Sequence, residues 1–262
     1  MIKALSTAAT GMDAQSANIE RISNDLANVN TDGYKRSRNE FQDLMYQTTK
    51  EPGAQLGVGT QSPVGIQTGL GVKVGAVHKN FEQGPAKMTY HDKDFMIEGK
   101  GFFPVQMPNG EVAYSRNGAF HVDAQGRMQQ SNGAFLIPPI IIPNNTLDLK
   151  VTPAGEVRAS LAGQNGADAV LGQIQLIIFP NEQGLSSSGN GLYRVTAASG
   201  APVQGVPGEN GIGVIMQGAL EASNVNVANS MVDMISTQRG YEMNTKVMSV
   251  ADQMMGATVN IK

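Results

Sequence analysis

Proline divides this chain into three. All twelve prolines lie between residues 52 and 207, whereas residues 3–31 hold none and only one glycine, Gly11. Residues 219–262 also hold no proline and only Gly240 and Gly256. Proline removes a helical N–H and clashes with the preceding turn, so stretches this long without it are free to form long helices. The spacing predicts helix, then a long β-rich centre, then helix.

Both ends carry a seven-residue rhythm. Leu5, Met12, Ile19 and Leu26 form one column, and Ala8, Gln15, Ile22 and Val29 another three residues later, a seam with a polar break at Gln15. Asp32-Gly33 supplies a stop, Gly33 being free to turn left-handed. At the other end Val227, Met234, Tyr241, Met248 and Met255 repeat at spacing seven, with Met231 and Ile235 widening the stripe. Ser223 and Asn224 are the expected N-caps. Two readings stay open: an ordinary two-helix layer on a core, or a coiled-coil-like layer that also packs on neighbouring copies. Helices of this kind are marginal alone in water, which favours order through assembly.

The centre alternates short apolar runs with turn chemistry. Pro108-Asn109-Gly110 separates Phe102–Val105 from Val112–Tyr114, a hairpin signal, and Ser131-Asn132-Gly133 and Pro153-Ala154-Gly155 mark further turns. Gln173–Phe179 reads as a buried strand. The spacing suits an irregular sandwich or barrel-like domain. Residues 51–75 form a separate stretch rich in Gly and Pro, yet Val58, Val64, Ile66, Leu70 and Val72 are too apolar for a solvated linker. An extended arm that packs on something is expected. The expected fold class is therefore α+β: a discontinuous coiled-coil-like layer of N- and C-terminal helices, a central irregular β-rich domain and an extended arm. The expected divisions are 1–35 with 219–262, then 36–75, then 76–218.

Chemistry is sparse. The chain has 262 residues, 40% of them hydrophobic, a net charge of -3 and no cysteine. Disulfides, thiolate metal sites and cysteine nucleophiles are excluded, and dispersed basic residues give no nucleic-acid stripe. His78, His91 and His121 form no ligand pair, and no HExxH, G-x-S-x-G or phosphate-loop motif occurs. No cofactor and no metal are expected. A pair of carboxylates of the glycosidase kind is neither signalled nor excluded by inspection. The first ten residues lack the apolar run of a cleaved signal, so the chain stays inside the cell or leaves by a route without cleavage.

Residues 24–36 read Asn-Asp-Leu-Ala-Asn-Val-Asn-Thr-Asp-Gly-Tyr-Lys-Arg. This resembles the signature that ends the first helix of flagellar rod and hook proteins, matched at Asn24, Leu26, Ala27, Asn28, Thr31, Gly33, Tyr34 and Lys35. Two further blocks resemble the same family. One is Asp94, Ile97, Gly99, Gly101-Phe102-Phe103, then Tyr114-Ser115-Arg116, Gly118, Phe120, Asp123 and Gly126. The other is Leu220–Val225 followed by Met234-Ile235, Gln238-Arg239, Tyr241-Glu242 and Asn244. Ala228-Asn229-Ser230 departs from the acidic residues common there.

Tyr46–Gln55 and Gly69–Val72 resemble the distal-rod branch of the family, with a proximal-rod or hook-type member as the alternative. The resemblance implies a non-enzymatic subunit of a straight hollow shaft that carries torque from motor to hook. It implies terminal helices lining an inner layer, an arm with Tyr46, Pro52, Val58, Pro63, Val64 and Ile66 that stiffens subunit contacts, and export without a cleaved signal into the periplasmic rod. The implied partners are further copies of the chain, the proximal rod protein, the hook protein, the periplasmic and outer-membrane ring proteins and the flagellar type III export apparatus. A secreted β-rich enzyme and an unrelated polymerising fibre module are the readings from other classes.

Overall fold

The computed structural model describes residues 2–51, 55–57, 60–61, 64–161 and 168–259. They form an α+β chain with a helix at each end and β structure between. Helix α1 spans Ile2–Ala27 and helix α2 spans Val227–Val259, lengths of about 39 and 50 Å at 1.5 Å per residue. None of the helices among the described residues is long and apolar enough to cross a membrane.

The chain separates into two compact units. The first holds residues 1–26, 37–78 and 226–262, and the second holds 27–36 and 79–225. The short segment 27–36 thus belongs with the β-rich unit, although the sequence places it with the helices. The helix ends two residues short of Val29, so that member of the expected seam lies in a turn. The reason is local: Thr31 donates its N–H to the Asn28 carbonyl at 3.1 Å and its hydroxyl meets Asn28 Oδ1 at 3.2 Å. Asn and Thr side chains of this kind compete with helical bonding. Gly33 then takes φ +73°.

In the first unit lies the stretch expected to be an extended arm, residues 37–78. Its described residues pair as a two-stranded ribbon, with Ser37–Asp43 paired to Val72–Lys79 and Tyr46–Lys50 paired antiparallel to Ile66–Gly69. Polar contacts fix its base on α1. Arg21 and Asp25, one turn apart, form an ion pair at 2.9 Å. Arg21 Nη1 also donates to the Ser37 carbonyl at 2.9 Å, and Ser37 N donates to Asp25 Oδ1 at 3.1 Å. Further along, Asn39 Nδ2 donates to the Ala17 carbonyl and Val72 N to Thr10 Oγ1. Pro52, Val58 and Pro63, expected to stiffen the arm, lie outside the described residues.

The second unit is built on a seven-stranded sheet whose centre is the expected hairpin, Phe103–Gln106 against Val112–Ser115. Alternation along Phe102-Phe103 sends neighbours to opposite faces. Phe103 and Val105 enter the main core with Phe95, Leu136, Leu149 and Val157, where the three-stranded sheet Thr146–Val151, Glu156–Leu161 and Asp168–Gln173 contributes its inner face. On the other face Phe102, Tyr114, Phe179 and Tyr193 make a second, aromatic core with edge-to-face contacts of 4.9–5.9 Å. The expected strand Gln173–Phe179 is broken. One strand ends at Gln173, with Ile174 N still bonding the Gly155 carbonyl of its neighbour at 2.7 Å, and the next, Leu176–Ile178, changes partner and pairs with Val203–Gly205.

Candidate assembly surfaces and a buried charge node

Helix α2 begins at Val227 because Asn226 caps it: Asn226 Oδ1 accepts from Asn229 N at 3.1 Å and its carbonyl from Ser230 N at 2.9 Å. The expected caps Ser223 and Asn224 are occupied elsewhere. Asn224 Nδ2 donates to the carbonyls of Asn80 and Glu82, and its Oδ1 accepts from Arg36 N at 2.7 Å.

The two helices meet along Gly11, Gln15 and Asn18 of α1 and Asn244, Gly240 and Thr237 of α2. These contacts are made by small or polar residues. The apolar residues of α2 mostly point elsewhere. Of the residues expected in the seam, Met234, Met248 and Met255 are half-buried, while Val227, Met231 and Tyr241 are exposed. On α1, Leu5, Met12, Ile19 and Leu26 are half-buried and Ile22 is buried.

A second stripe on α2 was not picked out by the seven-residue columns. Met243, Val247, Val250 and Met254 are all about half exposed, and Val232 is 65% exposed. At 100° per residue, these five lie within about 60° of one another round the helix. The steps of four, three and four between the last four are those of a helix-packing seam. Spacing could have revealed it, but the neighbouring Met columns mask it: α2 is apolar on most of its circumference, so periodicity alone does not say which stripe is covered. The ribbon adds a further exposed apolar set, Phe41, Met45, Tyr46, Val64, Ile66 and Val77. The Asp43 carboxylate beside the Tyr46 hydroxyl pushes that phenol above its ordinary range.

Inside the second unit, the three sequence blocks that carry the resemblance converge on one cluster of buried charge. Lys35 comes from the first block, Arg116 from the second and Glu221 from the third. Lys35 Nζ sits 2.5 Å from Glu221 Oε1 and donates to the Glu82 carbonyl at 2.7 Å. Gly84 N donates to the same Glu221 oxygen at 2.9 Å. Arg116 Nη1 lies 3.5 Å from Glu221 Oε2, Nη2 donates to the Gly99 carbonyl, and the guanidinium faces the Phe102 ring at 5.4 Å. Both cations and the carboxylate are almost wholly buried. Burial pushes the Lys35 ammonium down from its usual range against the pull of Glu221, and Arg116 is pushed down for the same reason. Next to them burial lifts the Tyr193 hydroxyl to about 12.

Asn28, Thr31, Gly33 and Tyr34 of the first motif build the turn after α1. Gly33 N donates to the Glu221 carbonyl at 2.7 Å, and a side chain on Gly33 would sit 2.8 Å from Asn117 N. Tyr34 lies under the Lys79 ammonium at 4.4 Å. The histidines build no site: among the described residues there is no group of three or more His, Asp and Glu able to hold a metal.

The chain matches the flagella basal body rod protein family over residues 5–35, the flagellar hook protein FlgE/F/G D1 domain over 96–159, and the flagellar basal body rod FlgEFG protein C-terminal family over 216–261. It is 46% identical over 262 residues to the flagellar basal-body rod protein FlgG of Caulobacter vibrioides, covering 100% of both chains. It is 46% identical over 255 residues to FlgG of Buchnera aphidicola, covering 97% of this chain and 98% of that one. The FlgG of Borreliella burgdorferi is 41% identical over 263 residues. The chain belongs to the FlgG-type flagellar basal-body rod family. Family membership makes it a structural component of the flagellar basal body and not an enzyme. The three matched regions also explain the charge node, since Lys35, Arg116 and Glu221 fall one in each.

Proposed function

We propose that the chain polymerises into a straight, hollow drive shaft, the distal part of the rod, in which the terminal helices pack on neighbouring copies as a coiled-coil-like inner layer. The observation that carries this reading is the open apolar stripe Val232, Met243, Val247, Val250 and Met254 on α2. Fully burying such a side chain contributes roughly 1.5–3 kcal/mol, so a stripe repeated in every copy supplies a continuous interface of the propagating kind. Torque then passes through packed apolar contacts rather than surface ion pairs, which contribute about 0–1 kcal/mol each.

In this reading the ribbon 37–79 is the stiffening arm. A two-stranded ribbon is marginal alone, and its exposed Phe41, Met45, Tyr46 and Ile66 give it apolar area to place on a neighbour. The seam columns Leu5, Met12, Ile19, Leu26, Val227, Met231, Met234, Tyr241, Met248 and Met255 take part in the helix layer. The shaft lies in the periplasm, is exported without a cleaved signal by the type III apparatus, and meets the proximal rod protein, the hook protein and the surrounding ring proteins.

Val250→Asp tests the reading cleanly. Val250 is half exposed in the single chain, so the substitution changes monomer stability by no more than about 0.5 kcal/mol. In an assembled layer it buries an unpaired charge, which is strongly unfavourable. The expected result is normal circular dichroism and thermal unfolding of the purified chain, with no rods in isolated basal bodies and no motility. Normal rods would overturn the proposal.

A further inference from the structure

Two long helices that are apolar on most faces can pair in several rotational settings, and hydrophobic contact alone does not choose among them. In this chain the residues of α2 seen against α1, Thr237, Gly240 and Asn244, are small or polar. Gly11 of α1 leaves room for an amide of α2: a Cβ at Gly11 would lie 2.9 Å from Asn244 Nδ2. One turn along, the exchange is reversed, and a Cβ at Gly240 of α2 would lie 3.3 Å from Gln15 Nε2 of α1. A turn further, Asn18 Nδ2 donates to Thr237 Oγ1 at 3.0 Å, and Thr237 is buried. The three pairs step in opposite directions along the two helices, so the pairing is antiparallel.

We propose that this polar ladder selects the face of α2 that meets α1, and so keeps the apolar stripe Met243, Val247, Val250 and Met254 open for the next copy. The proposal rests on the assembly reading above for the role of the stripe, but the face selection is a property of the single chain. Turning α2 to bring the stripe onto α1 would bury more apolar area. It would also take Gln15 off Gly240, where the missing Cβ would lie 3.3 Å from its amide, and strip Asn18 of its hydroxyl partner. Amides left buried without partners penalise the alternative setting, in the way that one polar residue in an apolar seam fixes a coiled-coil arrangement at a cost in stability.

Because the chain has no cysteine, engineered pairs report the facing surfaces directly. Gln15→Cys with Gly240→Cys probes the ladder side, where the Gly240 Cβ position lies 3.8 Å from Gln15 Cγ and the Asn18–Thr237 rung stays in place, and Gln15→Cys with Met243→Cys probes the stripe side. The purified full-length chain is oxidised, and the cross-link that leaves the chain at monomer size is measured. With the native ladder the 240 pair should dominate. In the background Asn18→Leu with Thr237→Val, the ratio of the 243 to the 240 cross-link should rise about tenfold, and rod assembly should fall. Exchanging the partners, Asn18→Thr with Thr237→Asn, keeps one hydroxyl–amide bond and should restore the native ratio. An unchanged ratio in the apolar background would overturn the proposal. So would failure of the exchanged pair to restore it. A switch in cross-linking with rods still formed would leave the ladder standing and remove the assembly role of the stripe.

Discussion

Replacing Glu221 by glutamine removes one negative charge from a site that holds two cations. Lys35 Nζ is 2.5 Å and Arg116 Nη1 3.5 Å from that carboxylate, and all three side chains are at most 2% exposed. Glutamine keeps the size and can still accept from Gly84 N, so packing and most hydrogen bonding survive. What is lost is the charge that compensates two desolvated cations. Breaking a buried pair on one side costs about 3–5 kcal/mol, against a total stability on the order of 5–15 kcal/mol for a domain. For a unit of this size each kcal/mol lowers Tm by about 2–4 °C, so the drop should be about 6–20 °C. Differential scanning calorimetry of the full-length chain measures it. Lys35→Met in the same background should recover part of the loss, because it removes one orphaned cation. A Tm within about 2 °C of the wild type would refute the reasoning, for it would mean that water already compensates the node.

Two further outcomes follow from the second unit. Gly33→Ala places a Cβ 2.8 Å from Asn117 N at a φ of +73°, so it should cost at least about 1–2 kcal/mol, read by urea denaturation, and a neutral result would mean that the turn relaxes. Tyr193 is held up to about 12 by burial, against an ordinary value of about 10. A raised folded-state value favours the folded form below pH 10, and this stability is lost as pH climbs from about 10 to about 12, some 2–3 kcal/mol in all. Tyr193→Phe should flatten that part of the stability–pH profile, and an unchanged slope would contradict the assignment.

Proline-free ends and a seven-residue rhythm were enough to read both helices from the sequence, and Asn-Gly and Pro-rich turns were enough to read the central hairpin. Competition among partners decided the details that were not legible. Asn224 looks like a cap in isolation, yet the Arg36 N–H and the Asn80 and Glu82 carbonyls claim it, and the capping falls to Asn226. Val29 continues the heptad column, but Asn28 and Thr31 bond each other and end the helix first. The charge node was visible only as three separate motif residues, because Lys35 and Glu221 are 186 positions apart in sequence. The covered face of α2 was hidden for a different reason. With methionine and valine on most of its circumference, periodicity gives several answers, and the polar residues Asn18, Thr237 and Asn244 mark the contact side instead.

The central claim is that the apolar stripe of α2 is open in the single chain and closed by neighbouring copies in the rod. Methionine oxidation tests it most directly, since Met243 and Met254 lie on the stripe and Met88, half exposed on the second unit, serves as the reference. Purified chain and isolated basal bodies are exposed to dilute peroxide, and the rate of each sulfoxide is measured by peptide mass spectrometry. The account predicts that Met243 and Met254 oxidise readily in the chain and are at least about tenfold protected relative to Met88 in the rod. Equal rates at Met243 and Met254 in the two samples would contradict it.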